Sequence, residues 1–191
     1  MANVSRINGF KPAKTGLGAP WNGQLTKYYV TAGDTTAIFV GDLVSLNGQS
    51  DANGIRAVTK TPVGGAAVGA VVQVEYDMAD LNTPQYRPAS TAKYVYVADD
   101  PNTIYEAQIS GASPTATMVG QNANHIDSGG STITGVSGEQ VDSTTVGTTA
   151  TLTLKILDYV QSPENEVGQY AKVRVKINNH QLAGGTGTLG V

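Results

Sequence analysis

Cysteine is absent from this 191-residue chain, which excludes a disulfide framework and any thiolate zinc site. Charge is scarce as well: Asp, Glu, Lys and Arg make up 14% of the residues, against about 25% in ordinary globular proteins. Much of the surface must then be Ser, Thr, Asn, Gln, Gly and backbone, which suits close packing against neighbours and equally a β-protein facing water. The net charge of −3 argues against a general nucleic-acid binder, whose affinity rests on neutralising phosphates. No apolar run approaches the ~18 residues of a membrane-crossing helix. The opening residues lack a basic stretch followed by an apolar one, so no cleaved signal is expected.

Helical periodicity is nearly absent too, and period-2 alternation takes its place. In Val68–Tyr76, Ala70, Val72, Val74 and Tyr76 fall on one side and Gln73 and Glu75 on the other. Leu152, Leu154 and Ile156 alternate with Thr151, Thr153 and Lys155, and Val173, Val175 and Ile177 alternate with Lys172, Arg174 and Lys176. Residues two apart share a face of a strand, so each run has a core side and an outer side. Further strands are predicted at Leu25–Ala32, Ile55–Thr59, Lys93–Ala98 and Thr103–Ile109. Gly41-Asp42 splits the run Thr36–Leu46. Asn47-Gly48 and Asn53-Gly54 read as turns, and Asp100-Pro101-Asn102 as the turn of a hairpin. Many short strands with Gly, Pro and Asn between them predict an all-β fold, a β-barrel or β-sandwich body.

Two stretches lie outside this rhythm. Residues 1–24 carry prolines, glycines and isolated apolar anchors at Ile7, Phe10, Leu17 and Trp21, and read as an extended arm needing another surface. Residues 110–149 are rich in Ser, Thr and Gly and read as an inserted lobe or a second small β subdomain. A short helix is expected after Ser113-Pro114, with short strands near Asn124–Asp127 and Glu139–Ser143. The remaining division is a barrel-like core over 25–109, strands completing it over 150–182, and a flexible tail over 183–191. Asp77–Ser90 is a polar excursion with two prolines.

Chemical constellations are weak. His125, Asp127 and Ser128 stand together, yet neighbouring strand residues point to opposite faces and Ser128 lies in no nucleophile elbow. The two histidines, His125 and His180, are far apart and form no metal-binding pair. Asp51-Ala52-Asn53-Gly54 resembles the start of a calcium loop, but no glutamate arrives where the loop must close, and an Asn-Gly turn accounts for it. No catalytic residue, metal or cofactor is expected. Lys172, Arg174 and Lys176 form a basic stripe, read as a solvated face, a guard against edge pairing, or a contact for an acidic protein. Tyr28, Tyr29, Tyr94 and Tyr96 suit half-buried packing, an interface or a sugar platform.

Four segments, Arg6–Lys14 (RINGFKPAK), Lys27–Leu46 (KYYVTAGDTTAIFVGDLVSL), Val97–Gln108 (VADDPNTIYEAQ) and Ile177–Val191 (INNHQLAGGTGTLGV), together resemble small structural proteins of tailed bacteriophages that decorate or cement the capsid exterior. The resemblance runs almost end to end. It implies a non-enzymatic virion protein, a homotrimer or homodimer, assembled in the host cytoplasm and bound where several major capsid proteins meet. Neither a membrane nor nucleic acid is then a direct partner. Candidate partner-binding residues are Ile7, Phe10, Trp21, Tyr28, Tyr29, Lys172, Arg174 and Lys176, because buried aromatics tend to dominate interface energies. The alternative is a tail or head-fibre adhesin for host-surface carbohydrate, using the tyrosines or residues 110–149.

Overall fold

The computed structural model describes residues 3–16, 18–80, 82–111, 114–184 and 187–190. The chain folds as an all-β protein around two cores. The first is a closed barrel of β2 (Thr26–Val30), β3 (Leu43–Ser50), β4 (Arg56–Lys60), β5 (Gly69–Val74) and β6 (Lys93–Ala98), in the order β2-β4-β3-β5-β6. Only β2 and β4 run parallel. The second unit is a five-stranded antiparallel sheet, ordered β1-β7-β12-β11-β8. Its strands are β1 (Lys11–Thr15), β7 (Thr103–Gln108), β8 (Asn122–Ala123), β11 (Leu154–Tyr159) and β12 (Lys172–Ile177). A two-stranded sheet pairs β9 (His125–Ile126) with β10 (Gln140–Val141).

Alternation explains how one strand serves both cores. Val71, Val74, Val95 and Val97 point into the barrel with Tyr28, Val30, Val44 and Val58. Leu43, Ala70 and Ala98 point out of it and pack with Tyr105, Ile156, Val173 and Val175 of the sheet. The small side chains at Ala70 and Ala98 let the sheet lie close. In β5 the simple pattern fails: the register shifts between Val71 and Gln73, so Ala70 and Val72 face the second core whereas Val74 faces the barrel. The extra residue is a β-bulge, which turns the strand and leaves Tyr76 exposed on the outside.

Two local expectations are corrected. Lys93–Ala98 and Thr103–Gln108 are strands, but they do not form a hairpin. Closing the barrel pairs β6 with β2 and β5 on both edges, so the chain turns a corner at Asp100–Asn102 and β7 joins the other sheet. Tyr105 seals the corner by donating its hydroxyl to the Ala98 carbonyl at 2.7 Å. Asn47-Gly48 is not a turn either. The strand β3 continues through it with a register shift between Leu46 and Ser50, Gly48 taking φ +77°. The turn falls at Asn53-Gly54, where Asp51 Oδ1 accepts the N–H groups of Asn53 and Ile55, both at 2.8 Å.

The opening segment lies on the chain's own body rather than waiting for a partner. Asn3 bonds the carbonyls of Glu166 and Gln169 at 2.7 and 2.9 Å, Phe10 is buried in the second core, and β1 adds to the edge of β7. The crossing over the barrel needs two glycines: a Cβ on Gly9 would sit 2.6 Å from the Gly41 carbonyl oxygen, and one on Gly41 2.9 Å from that of Asn8. Leu17 lies outside the described residues. The described tail is held as well, Thr188 N–H donating to Asn178 Oδ1 at 2.9 Å and Gly190 N–H to the Thr148 carbonyl at 3.0 Å.

Residues 114–149 are stitched to the body along their length. They supply β8 to the sheet, Val141 to the second core, and bridges from Val136 to Val40 and from Val141 to Ile109. The expected helix is a single 3-10 turn, Ala116–Met118, with Thr115 preceding it; Ser113 lies outside the described residues. Beyond the barrel, the strands of 150–182 complete the five-stranded sheet, which β7 of the 25–109 stretch also enters.

Candidate functional site: a tyrosine-rich barrel face

Strands β2 and β6 place their aromatics by parity. Tyr28, Val30, Val95 and Val97 go inward, and Tyr29, Tyr94 and Tyr96 stand half-buried outside. Tyr29 and Tyr94 are a cross-strand pair with ring centroids 5.4 Å apart and planes tilted by 52°. Lys27 lies over the Tyr94 ring, its ammonium 3.9 Å from the centroid, and donates to Glu75 at 2.7 Å. Tyr94 in turn donates its hydroxyl to Asp51 Oδ2 at 2.7 Å. That bond holds the Asp51 carboxyl below its usual range and the Tyr94 phenol above its own. Glu75 likewise raises the Lys27 ammonium, chiefly through the hydrogen bond.

Beside these rings runs a groove of about 550 Å³ lined by Tyr29, Tyr76, Met78, Pro84, Pro88 and Tyr94, among others. Tyr76 is 53% and Met78 92% exposed. The far wall is the polar excursion, and Arg87 fixes it. That guanidinium is fully buried and donates to four backbone carbonyls: Thr91 at 2.7 Å, Thr36 and Thr31 at 2.6 Å, and Asp34 at 2.8 Å. Phe39 and Tyr86 stack at 4.8 Å next to it. An exposed aromatic and apolar patch rimmed by single charges has the make-up of a protein contact surface. For a sugar, the Tyr94 face is already occupied by the lysine.

The sequence-derived candidates scatter. Tyr29 lies in the face. Tyr28 and Phe10 are interior, 0% and 1% exposed. Tyr28 donates to Asp99 at 2.8 Å, and its burial raises the phenol well above the usual range. Trp21 is half-buried against the second core, and Ile7 is 40% exposed on the arm. The stripe faces outward from β12, an interior strand of its sheet, so guarding an edge is not its role. Arg174 is engaged by Glu106 and Asp158 at 3.1 and 3.4 Å, and Lys176 by Asn102 at 3.1 Å. Lys172 stays exposed and lines a smaller groove of about 290 Å³ with Arg6 and Tyr170. His125 is buried beside the Thr61 carbonyl at 3.3 Å while Ser128 is on the surface, so the two form no catalytic pair. Tyr76, Met78 and Arg87 were missed, since a loop side chain's exposure depends on strands remote in sequence.

Among the described residues, no helix is long and apolar enough to cross a membrane. No protein-family model matches this chain, and no curated protein matches it.

Proposed function

We propose that the protein is a non-enzymatic structural component that binds the outside of a bacteriophage capsid and bridges neighbouring major capsid proteins. The observation that carries this reading is the tyrosine face, where Tyr29, Tyr76, Tyr94 and Met78 line one groove together with Glu75, Asp77 and Lys93. Aromatics and methionine are enriched in protein interfaces, and the sparse charge of the chain lowers the desolvation cost of docking. Attachment is multivalent: modest sites repeated on a symmetric shell, or within a homotrimer or homodimer, sum to tight retention. Ile7 and Trp21 supply secondary contacts along the arm.

The test is quantitative mass spectrometry of gradient-purified particles. Copy numbers comparable to the major capsid protein support lattice decoration. A handful of copies per particle overturns it and favours the tail or fibre adhesin, to be followed by a glycan-binding screen.

A further inference from the structure

Where the barrel meets residues 127–139, a lysine is surrounded by three carboxyl groups. Lys60 Nζ lies 2.6 Å from Asp127 Oδ1, 3.5 Å from Asp42 Oδ2 and 3.6 Å from Glu139 Oε1. The Lys60 side chain is 6% exposed and those of Asp42 and Glu139 are 0% exposed, whereas that of Asp127 is 40% exposed. Asp42 Oδ2 accepts the Phe39 N–H at 2.8 Å, and Glu139 Oε2 accepts the Leu43 N–H at 2.9 Å. The other oxygens, Asp42 Oδ1 and Glu139 Oε1, have no hydrogen-bond partner among the described residues. Three carboxylates around one ammonium in a dry site cannot all stay ionised. Burial raises both Asp42 and Glu139, while Lys60 keeps the exposed Asp127 anionic.

As an ion-pair network this is a poor stabiliser, because the desolvation of several buried charges consumes the attraction between them. As an arrangement of reactants it is well made: an amine and a carboxyl group are fixed side by side, water reaches them only past Asp127, and a second buried carboxyl stands ready to carry protons. We propose that Lys60 and Asp42 condense spontaneously to an intramolecular isopeptide bond, with Glu139 as the catalytic acid–base group. This inference is independent of what the tyrosine face binds.

The step balances without any co-reactant. Asp42 and Glu139, both raised by burial, enter as neutral acids and Asp127 as the carboxylate. Asp127, 2.6 Å from Nζ, takes a proton from the Lys60 ammonium, and the freed amine attacks Asp42 Cγ, forming the C–N bond. The Phe39 N–H stabilises the charge that develops on Oδ2, which becomes the amide oxygen. Oδ1 leaves as water, taking the Asp42 acid proton and one from Glu139, which takes a proton from the nitrogen in exchange. Of the ammonium's three protons, one ends on Asp127 and one on Glu139, which is again the neutral acid, and the amide nitrogen keeps the third. No atom is oxidised or reduced, and the partly exposed Asp127 side is the water's way out. Asp127 is the weaker electrophile, since its anionic carboxylate resists attack.

The bond would fasten the entry of β3 to the end of β4, where the arm crosses the barrel. Intact mass of the denatured wild-type chain tests it. The expected result is a mass below that of the sequence by one water molecule in nearly every chain, with a protease-resistant branched peptide joining Asp42 to Lys60. Lys60→Arg and Glu139→Gln should each return to the full mass calculated for its own sequence. A wild-type chain at full sequence mass overturns the proposal, as does a lost water without a Lys60 branch or a branch to Asp127 or Glu139. The wild-type digest decides the matter even if a variant fails to fold.

Discussion

A guanidinium sealed from water must find every partner inside the protein, and Arg87 does so with four carbonyls from two loops. Arg87→Lys keeps the charge but loses the planar fork, so carbonyls of Thr31, Thr36 or Asp34 are left unpaired. The expected cost is about 2–4 kcal/mol, each buried unsatisfied group costing about 1–3 kcal/mol. Urea unfolding measures it, and an unchanged midpoint would show that the loops hold themselves. His180 is also buried, but its Nε2 has no hydrogen-bond partner among the described residues. Its ring is 3% exposed, Nδ1 accepts the Leu182 N–H at 3.0 Å, and burial pushes its pKa below 6.5 despite Asp99 and Asp100 nearby. A histidine with a depressed folded pKa binds fewer protons folded than unfolded. Its contribution is therefore intact above the ordinary histidine pKa and is lost as pH falls from there towards the folded value. Asp42 and Glu139, both raised, act with the opposite sign, so the wild-type curve alone is ambiguous. The expected outcome is a difference: below about pH 6.5, wild type loses more stability per pH unit than His180→Gln. Parallel curves would mean that His180 titrates normally.

At the scale of the element, alternation in the sequence was enough to place β12 to the residue and β6 likewise, because both lie flat between neighbours without bulges. It could not place partners. The Asp100-Pro101-Asn102 turn is real, but the same local chemistry serves a hairpin and a corner between sheets, and barrel closure, a non-local fact, decides. The bulge at Val72 was illegible for a similar reason: Ala70, Val71 and Val72 are all apolar, and only the two cores tell them apart. The arm shows the limit most clearly. Ile7, Phe10 and Trp21 were recognisable as anchors, but not whether they anchor to a partner or to the chain itself. Pro12 within β1 fits an edge strand, since an edge position can spare a donor. Phe10→Ala should therefore cost about 3–5 kcal/mol of fold stability. Deleting residues 1–15 should expose the β7 edge and cause aggregation, read by light scattering, rather than yield a folded body that merely fails to attach. A monomeric, fully folded truncation would count against the docked arm.

For the whole molecule, the two cores share β5 and β6, so the barrel and the five-stranded sheet support each other and present the tyrosine face as a stiff surface. A binding surface and a structural core respond differently to truncation, and that difference separates the candidate anchors. Tyr76 and Met78 are exposed, so the double variant Tyr76→Ala, Met78→Ser should change unfolding free energy by no more than about 0.5 kcal/mol. Trp21 packs on the second core, and Trp21→Ala should cost about 1–3 kcal/mol through lost burial alone. On particles the order should reverse. If the groove is the contact, losing its aromatic wall weakens each site by about tenfold, near 1.4 kcal/mol, and the shell multiplies that loss wherever one assembly engages several sites. The measurement is retention on purified capsids stripped of the protein and re-decorated with each variant, normalised to folded protein by circular dichroism. Loss of retention in the Tyr76/Met78 variant with its fold intact identifies the tyrosine face as the contact. Full retention there, with loss only in Trp21→Ala, would move the contact to the arm.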